Sequence, residues 1–265
     1  AALLAGARPW FLNTTRESGL LPDFDAVPDT IWARCQLLYI CTPGNPTGAV
    51  IPATTLQQLI VLADRQAVVF ASHECYSEIY RDGDTPPTGL LQAAAELGHD
   101  DYRRCVVFHS LSKRSNAPGL RSGFVAGDAE IMKNFLRYRT YHGCAMPPAT
   151  QAASIRAWQD EAHVAANRTL YTEKLAAVLD VLAPLLDVRS PDAGFYLWAR
   201  TPLDDTDFAR ELLAQQNVIV LPGSFLSRPV DGHNPGRDYV RMALVAPLED
   251  CLEAAERIKS YIVSR

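Results

Sequence analysis

The feature that most constrains the fold is the alternation, over the first half of the chain, of short apolar runs rich in β-branched and aromatic residues with helical patterns. The runs are WFL near residue 10, Leu37 to Cys41, Ala67 to Ala71, Cys105 to His109 and Gly123 to Ala126. Between two of them, TLQQLIVLADRQ at 55–66 carries apolar residues at helical spacing, with Thr54 or Thr55 at the cap position. Strand, helix, strand in this order predicts an α/β domain with a mostly parallel sheet and helices on its faces, a three-layer arrangement.

From about Ala129 the strand runs stop. Helical patterns take over at Ile131 to Tyr141, Ala149 to Trp158 and Glu161 to Leu185. After Asp187 the pattern becomes α+β: strand Phe195 to Ala199, helix Asp205 to Gln216, strands Val218 to Leu221 and Tyr239 to Ala243, and a closing helix Leu248 to Val263. The expected division is a large domain over 1–165 and a small α+β domain over 166–265, with the boundary inside the long helix.

A chain of 265 residues, 48% hydrophobic and 21% charged, has the make-up of a folded soluble protein. Its net charge is −5 and its Lys and Arg do not cluster, which argues against nucleic-acid and membrane-surface partners and for a small-molecule ligand. No apolar run approaches the ~20 residues of a membrane span. The cysteines Cys35, Cys41, Cys75, Cys105, Cys144 and Cys251 lack CxxC spacing and read as buried reduced thiols, in keeping with a cytoplasmic location. The opening AALLAGA reads as the middle of a helix, so that the chain starts inside a domain.

Chemistry concentrates at the ends of the predicted strands. Ser110-Leu111-Ser112-Lys113 follows the run CVVFH directly and leads into Pro118-Gly119-Leu120-Arg121-Ser122-Gly123. Carboxyl ends of strands are where α/β sheets hold ligands. A lysine amine there, partly shielded from water, can condense with an aldehyde. Ser110 and Arg121 offer a hydroxyl and a planar guanidinium to a phosphate. A lone loop lysine is usually just an exposed charge; the flanking pattern reverses that preference.

Thr42-Pro43-Gly44-Asn45-Pro46-Thr47-Gly48 follows the run LLYIC, and Ser72-His73-Glu74-Cys75-Tyr76 follows AVVFA. Alone, the first is an ordinary Pro/Gly/Asn turn, and His73 is an ordinary structural histidine. A metal site from His73 and Cys75 lacks further ligands, and no metal is expected. Arg241 stands in the otherwise apolar run YVRMA, where it calls for an anionic partner, internal or bound.

In these motifs, in their order and spacing, the sequence resembles the aspartate-aminotransferase-like class I/II enzymes that depend on pyridoxal 5'-phosphate. The resemblance implies that Lys113 is catalytic and binds the cofactor covalently, that Ser110 and Arg121 hold its phosphate, and that Ser112 also contacts the cofactor. It implies that Asn45 and Tyr76 hold the phenolic oxygen, with Asn45-Pro46 a candidate cis bond, and that Asn45 and Arg241 hold the substrate α-carboxylate. It implies amino-acid and 2-oxo-acid substrates and a homodimer.

One position departs from the family pattern D-E-x-Y. The aspartate that pairs with the protonated ring nitrogen is His73 here, and weakened or altered catalysis is the expectation. The stretches AALLAGARPWFLNT, CYSEIY, SLSKRSNAPGLRSGF and YRTYHGCAMPP are most similar to the N-succinyldiaminopimelate aminotransferases of lysine biosynthesis. The family's N-terminal segment has no counterpart here, so a longer protein or a truncated one is expected. Two other outcomes stay open: another reaction on the same scaffold, such as a C–S lyase, or an impaired aminotransferase-like binding domain.

Overall fold

The computed structural model describes residues 2–143 and 145–265. Cys144, one of the six thiols, lies outside them. The chain forms two compact units, one of Asp29–Ala176 with Pro191–Phe195 and one of Ala1–Pro28, Ala177–Ser190 and Tyr196–Arg265. The division falls inside the long helix at residue 176, against the boundary at 165 read from the sequence, and the residues up to Pro28 group with the C-terminal unit. An ion pair between Arg16 and Asp187 and a hydrogen bond from Arg189 to the Gly19 carbonyl (3.3 Å) make that association. Both are contacts between segments far apart in sequence, which local patterning does not reveal.

The larger unit contains helix α1 (Asp29–Trp32), strand β1 (Leu37–Cys41), α2 (Ala53–Gln66), β2 (Val69–His73), α3 (Leu90–Glu96), β3 (Cys105–Ser110), α4 (Leu111–Arg114), β4 (Gly123–Gly127), α5 (Ala129–His142), α6 (Pro148–Gln159) and the first part of α7 (Ala162–Leu182). The sheet order is β1-β2-β3-β4, with β1, β2 and β3 parallel and β4 antiparallel to β3. Alternation sets the two faces. Leu38, Ile40, Phe70, Ser72, Cys105 and Val107 are buried, as are Leu56, Leu59, Ile60 and Ala63 of α2 and Leu90, Ala93 and Ala94 of α3. Leu37 and Tyr39, on the opposite face of β1, are more than half exposed.

Close packing between β3 and β4 depends on Gly127. Its φ is +137°, and a Cβ there would lie 1.9 Å from the Cys105 carbonyl oxygen. Gly127→Ala should therefore destabilise the chain by about 1–3 kcal/mol. A urea midpoint equal to that of the parent chain would contradict this.

The C-terminal unit contains β5 (Tyr196–Arg200), α8 (Asp205–Gln216), β6 (Leu221–Pro222), β7 (Tyr239–Ala243) and α9 (Leu248–Val263), with an antiparallel sheet ordered β5-β7-β6. Asp204 caps α8 by accepting from the Thr206 and Asp207 amides. The buried Asp205 carboxylate accepts the Ser224 amide at 2.8 Å and so ties α8 to the turn after β6. Phe208 and Tyr261 meet edge to face between α8 and α9.

The α/β class and the small α+β domain are as the patterning predicts. Some local expectations differ. Residues 2–6 form turns rather than a helix, because the run ends at Gly6 (φ +74°) and Pro9 follows. WFL near residue 10 is not a strand; among the described residues the pairing nearby is an isolated Thr14–Pro22 bridge, and Trp10 and Phe11 are exposed. Helix α2 begins at Ala53 behind Pro52, not at a threonine cap. No described helix is long and apolar enough to cross a membrane.

Candidate active site

The parallel register of β1, β2 and β3 brings three strand ends to one edge of the sheet: Cys41 pairs with His73, and His73 with Phe108. The chain leaves β1 through the Thr42-to-Gly48 turn, β2 through His73 to Tyr76, and β3 into α4. The three motifs predicted from separate stretches of sequence therefore meet where α/β sheets hold ligands.

A cleft of about 420 Å³ is lined by His73, Cys75, Tyr76, Ser110, Ser112, Lys113, Pro118, Arg121, Ser122 and Gly123. It contains no carboxylate. Hydroxyls, one amine and one guanidinium make a lining that favours an anion. Lys113 is half-buried, its Nζ 5.0 Å from the Phe195 ring centre and 5.9 Å from that of Tyr76. Its backbone is held in place from α7, where Asn167 donates its amide to the Lys113 carbonyl at 3.2 Å. The neighbouring Arg114 is buried, donates to the Ala157 carbonyl at 2.9 Å and pairs with Glu161. Helix α4 is thus anchored through its backbone and Arg114, while the Lys113 side chain turns to the aromatic wall.

Arg121 follows a 3-10 turn over Pro118–Leu120 and adopts φ +52°, with Nη1 donating to the Pro118 carbonyl at 2.9 Å. Ser122 is buried and bonded to Ser154 of α6 at 2.7 Å. On the other side of the cleft Tyr76 is buried, and the Asn45 amide donates to its phenolic oxygen at 3.2 Å. Asn45-Pro46 is cis, as the motif suggested, and so is Thr42-Pro43. The turn closes at Gly48 (φ +70°), where a Cβ would lie 2.3 Å from Pro191 Cβ.

His73 lines the cleft with its Nδ1 3.2 Å from Cys41 Sγ. Burial holds its pKa below the ordinary histidine value; its own backbone carbonyl and Glu74 oppose that shift, and His109 adds to it. Burial also pushes the Cys41 thiol up to about 11 and raises that of Cys75, against the opposing pull of Ser110 and Lys113. Glu74 is committed elsewhere: its Oε1 accepts the Leu90 amide at 2.8 Å and its Oε2 lies 3.2 Å from His109 Nε2. It does not take the place of the missing aspartate.

Seven of the predicted residues, Asn45, His73, Tyr76, Ser110, Ser112, Lys113 and Arg121, thus cluster in one unit. Arg241 belongs to the C-terminal unit, on β7, half-buried with its guanidinium 4.4 Å from the Tyr196 ring centre. Sequence reasoning missed Cys41 and Phe195. Cys41 was legible only as the residue opposite His73 once β1 and β2 pair in register. Phe195, read as the first residue of a small-domain strand, packs instead with the larger unit, against Tyr76 (5.9 Å) and Tyr171 (4.9 Å). Of the thiols, Cys105 and Cys251 are buried and Cys35, Cys41 and Cys75 partly so, and none of these five is in a disulfide.

Comparison with known proteins gives a consistent set of matches. The family model for aminotransferase class I and II matches residues 1–258. An LL-diaminopimelate aminotransferase of Syntrophobacter fumaroxidans is 32% identical over 98% of this chain and 65% of its own length. A crystal structure of an aminotransferase from Neisseria meningitidis matches with a TM-score of 0.92 at 49% identity, over 98% of this chain and 66% of that one. A probable N-succinyldiaminopimelate aminotransferase of Thermus thermophilus matches at 0.84 and 28% identity, over 98% and 67%. The chain therefore spans about 65% of the length of the Syntrophobacter relative.

Proposed function

The chain belongs to the class I and II aminotransferase family, and from that premise we propose that it forms the lysine-bearing part and C-terminal domain of a pyridoxal 5'-phosphate-dependent aminotransferase. The reaction is transfer of an amino group between an amino acid and a 2-oxo acid. The observation that carries this reading is the carboxylate-free cleft in which Lys113 shares one wall with Ser110, Ser112 and Arg121 and faces the Asn45–Tyr76 pair.

That donor set fits the cofactor. Arg121, Ser110 and Ser112 would take its phosphate, Asn45 and Tyr76 its phenolic oxygen, and His73 the region of its ring nitrogen. Pyridoxal phosphate, when bound, supplies an aldehyde for covalent attachment and a ring that takes up the electron pair released at the substrate α-carbon. Lys113 would attach to it through Nζ, and the same amine would hold and move the proton at the substrate α-carbon. The half-burial of its amine against Phe195 and Tyr76 limits water at the reacting atoms. Arg241 is assigned the substrate α-carboxylate, which its planar guanidinium can grip through two hydrogen bonds.

The finer reading is N-succinyldiaminopimelate with glutamate as amino donor, in lysine biosynthesis, by a cytoplasmic homodimer. The motif stretches and the name of the Thermus protein support the succinylated substrate. LL-diaminopimelate itself is the second reading, favoured by the name of the Syntrophobacter relative.

With added pyridoxal phosphate, the chain should develop a visible band that is lost on adding glutamate and restored by a 2-oxo acid. Comparison of kcat/KM for N-succinyl-LL-diaminopimelate and LL-diaminopimelate should favour the succinylated form by roughly tenfold or more. The opposite ratio would move the assignment to the second reading. A band unchanged by any amino acid would leave a cofactor-binding domain. Release of pyruvate and ammonia would mean elimination instead of transfer.

A further inference from the structure

The position of His73 raises a chemical question, because a histidine can meet a ligand as a donor or as an acceptor and the two choices demand opposite ligands. The answer depends on which ring nitrogen carries the proton, and the partners of Nδ1 decide it.

Nδ1 lies 3.2 Å from Cys41 Sγ, and the same sulfur donates to the Pro43 carbonyl at 3.3 Å. A thiol has one proton. Burial keeps Cys41 in the thiol form, with its pKa pushed up to about 11. The Pro43 carbonyl can only accept, so pairing both neighbours requires S–H to point to Pro43 and Nδ1–H to point to sulfur. The surroundings of Nδ1 therefore call for a donor. The charged neighbours of His73 pull in opposite directions, Glu74 toward the protonated ring and His109 away from it, while burial favours the neutral form. A neutral ring with Nδ1 protonated carries its lone pair on Nε2.

We infer that His73 is a neutral acceptor whose Nε2 receives the ring N–H of the bound cofactor, and that Cys41 is the positioning residue that fixes this tautomer. The inference rests on the cofactor reading above and deepens it. His73 thereby does with a lone pair what a carboxylate would do with a charge, and it selects a ligand bearing a heteroaromatic N–H. A neutral acceptor holds that proton less firmly than an anion does, since hydrogen bonds to charged groups are the stronger class.

The test is two-bond 1H–15N NMR on the full chain labelled with 15N-histidine, first without cofactor. His73 should show a protonated Nδ1 and a bare Nε2. Cys41→Ala should lose that preference, whereas Cys41→Ser, whose hydroxyl can accept and donate in the same place, should keep it. A bare Nδ1 in the parent chain, or a tautomer indifferent to Cys41→Ala in a variant with unchanged circular dichroism, would overturn the inference.

Pyridoxal phosphate is then added and the visible band followed in the same sample. Movement of the Nε2 resonance as the band grows supports the acceptor role. A band that grows while Nε2 stays put overturns this inference alone. No band at all overturns the cofactor reading and the acceptor role with it, while the tautomer result stands on the first spectrum.

Discussion

Lys113→Ala is expected to abolish the visible band formed with pyridoxal phosphate and to slow the half-reaction with glutamate by on the order of 10²–10⁴-fold, the range that a positioned proton-transfer group contributes. The expectation follows from where the amine stands. Nζ is half-buried against Phe195 and Tyr76 at the end of β3, and the cleft around it carries no carboxylate to pair with it. The fold should tolerate the change. Helix α4 is held by Arg114 and by the Asn167 amide on the Lys113 backbone carbonyl, neither of which involves the lysine side chain. Thermal unfolding should thus shift by no more than about 1 kcal/mol. Cofactor should still bind to the variant, weakly and reversibly, through the phosphate contacts. A variant that retains the band would mean that a different lysine carries the cofactor; the only other described lysines are Lys133, Lys174 and Lys259, none of which lines the cleft.

How far the sequence reaches can be judged from particular elements. Strand β7 and helices α8 and α9 have the bounds that patterning predicts, because each is a single periodic run between clear stops, such as Asn217 with φ +54° after α8. Strand β2 lies two residues later than the apolar run suggests, since pairing with β1 and β3 in register decides which residues count as strand. Strand β6 shrinks to Leu221–Pro222 for the same reason, with only β7 as a partner. The site was legible because each motif is contiguous and sits at the end of a strand, and the parallel topology brings those ends together without any further information. Cys41 and Phe195 were not legible. One matters through cross-strand register and the other through a segment that returns to the larger unit more than 80 residues after Lys113, and neither relation leaves a local pattern.

Arg121→Ala should weaken pyridoxal phosphate binding by roughly 10- to 150-fold, the equivalent of losing one charge-assisted hydrogen bond of about 1.5–3 kcal/mol. The guanidinium stands at the rim of the cleft, exposed, with Nη1 on the Pro118 carbonyl of its own turn. Its remaining N–H groups are available to an anion, and exposure means that little stability is at stake. Arg121→Lys separates charge from shape. If charge alone mattered, lysine would restore binding; if the planar fork matters, lysine recovers only part of the loss. The φ of +52° adds a control, because Arg121→Gly accepts that backbone with less strain than alanine. Equal weakening in the alanine and glycine variants, with partial recovery in lysine, would assign the effect to the guanidinium and not to the turn. Equilibrium dialysis in low-phosphate buffer, with inorganic phosphate as competitor, checks it: phosphate should compete several-fold less well against cofactor in the alanine variant. Unchanged cofactor affinity in Arg121→Ala would leave Ser110 and Ser112 alone on the phosphate and remove Arg121 from the site.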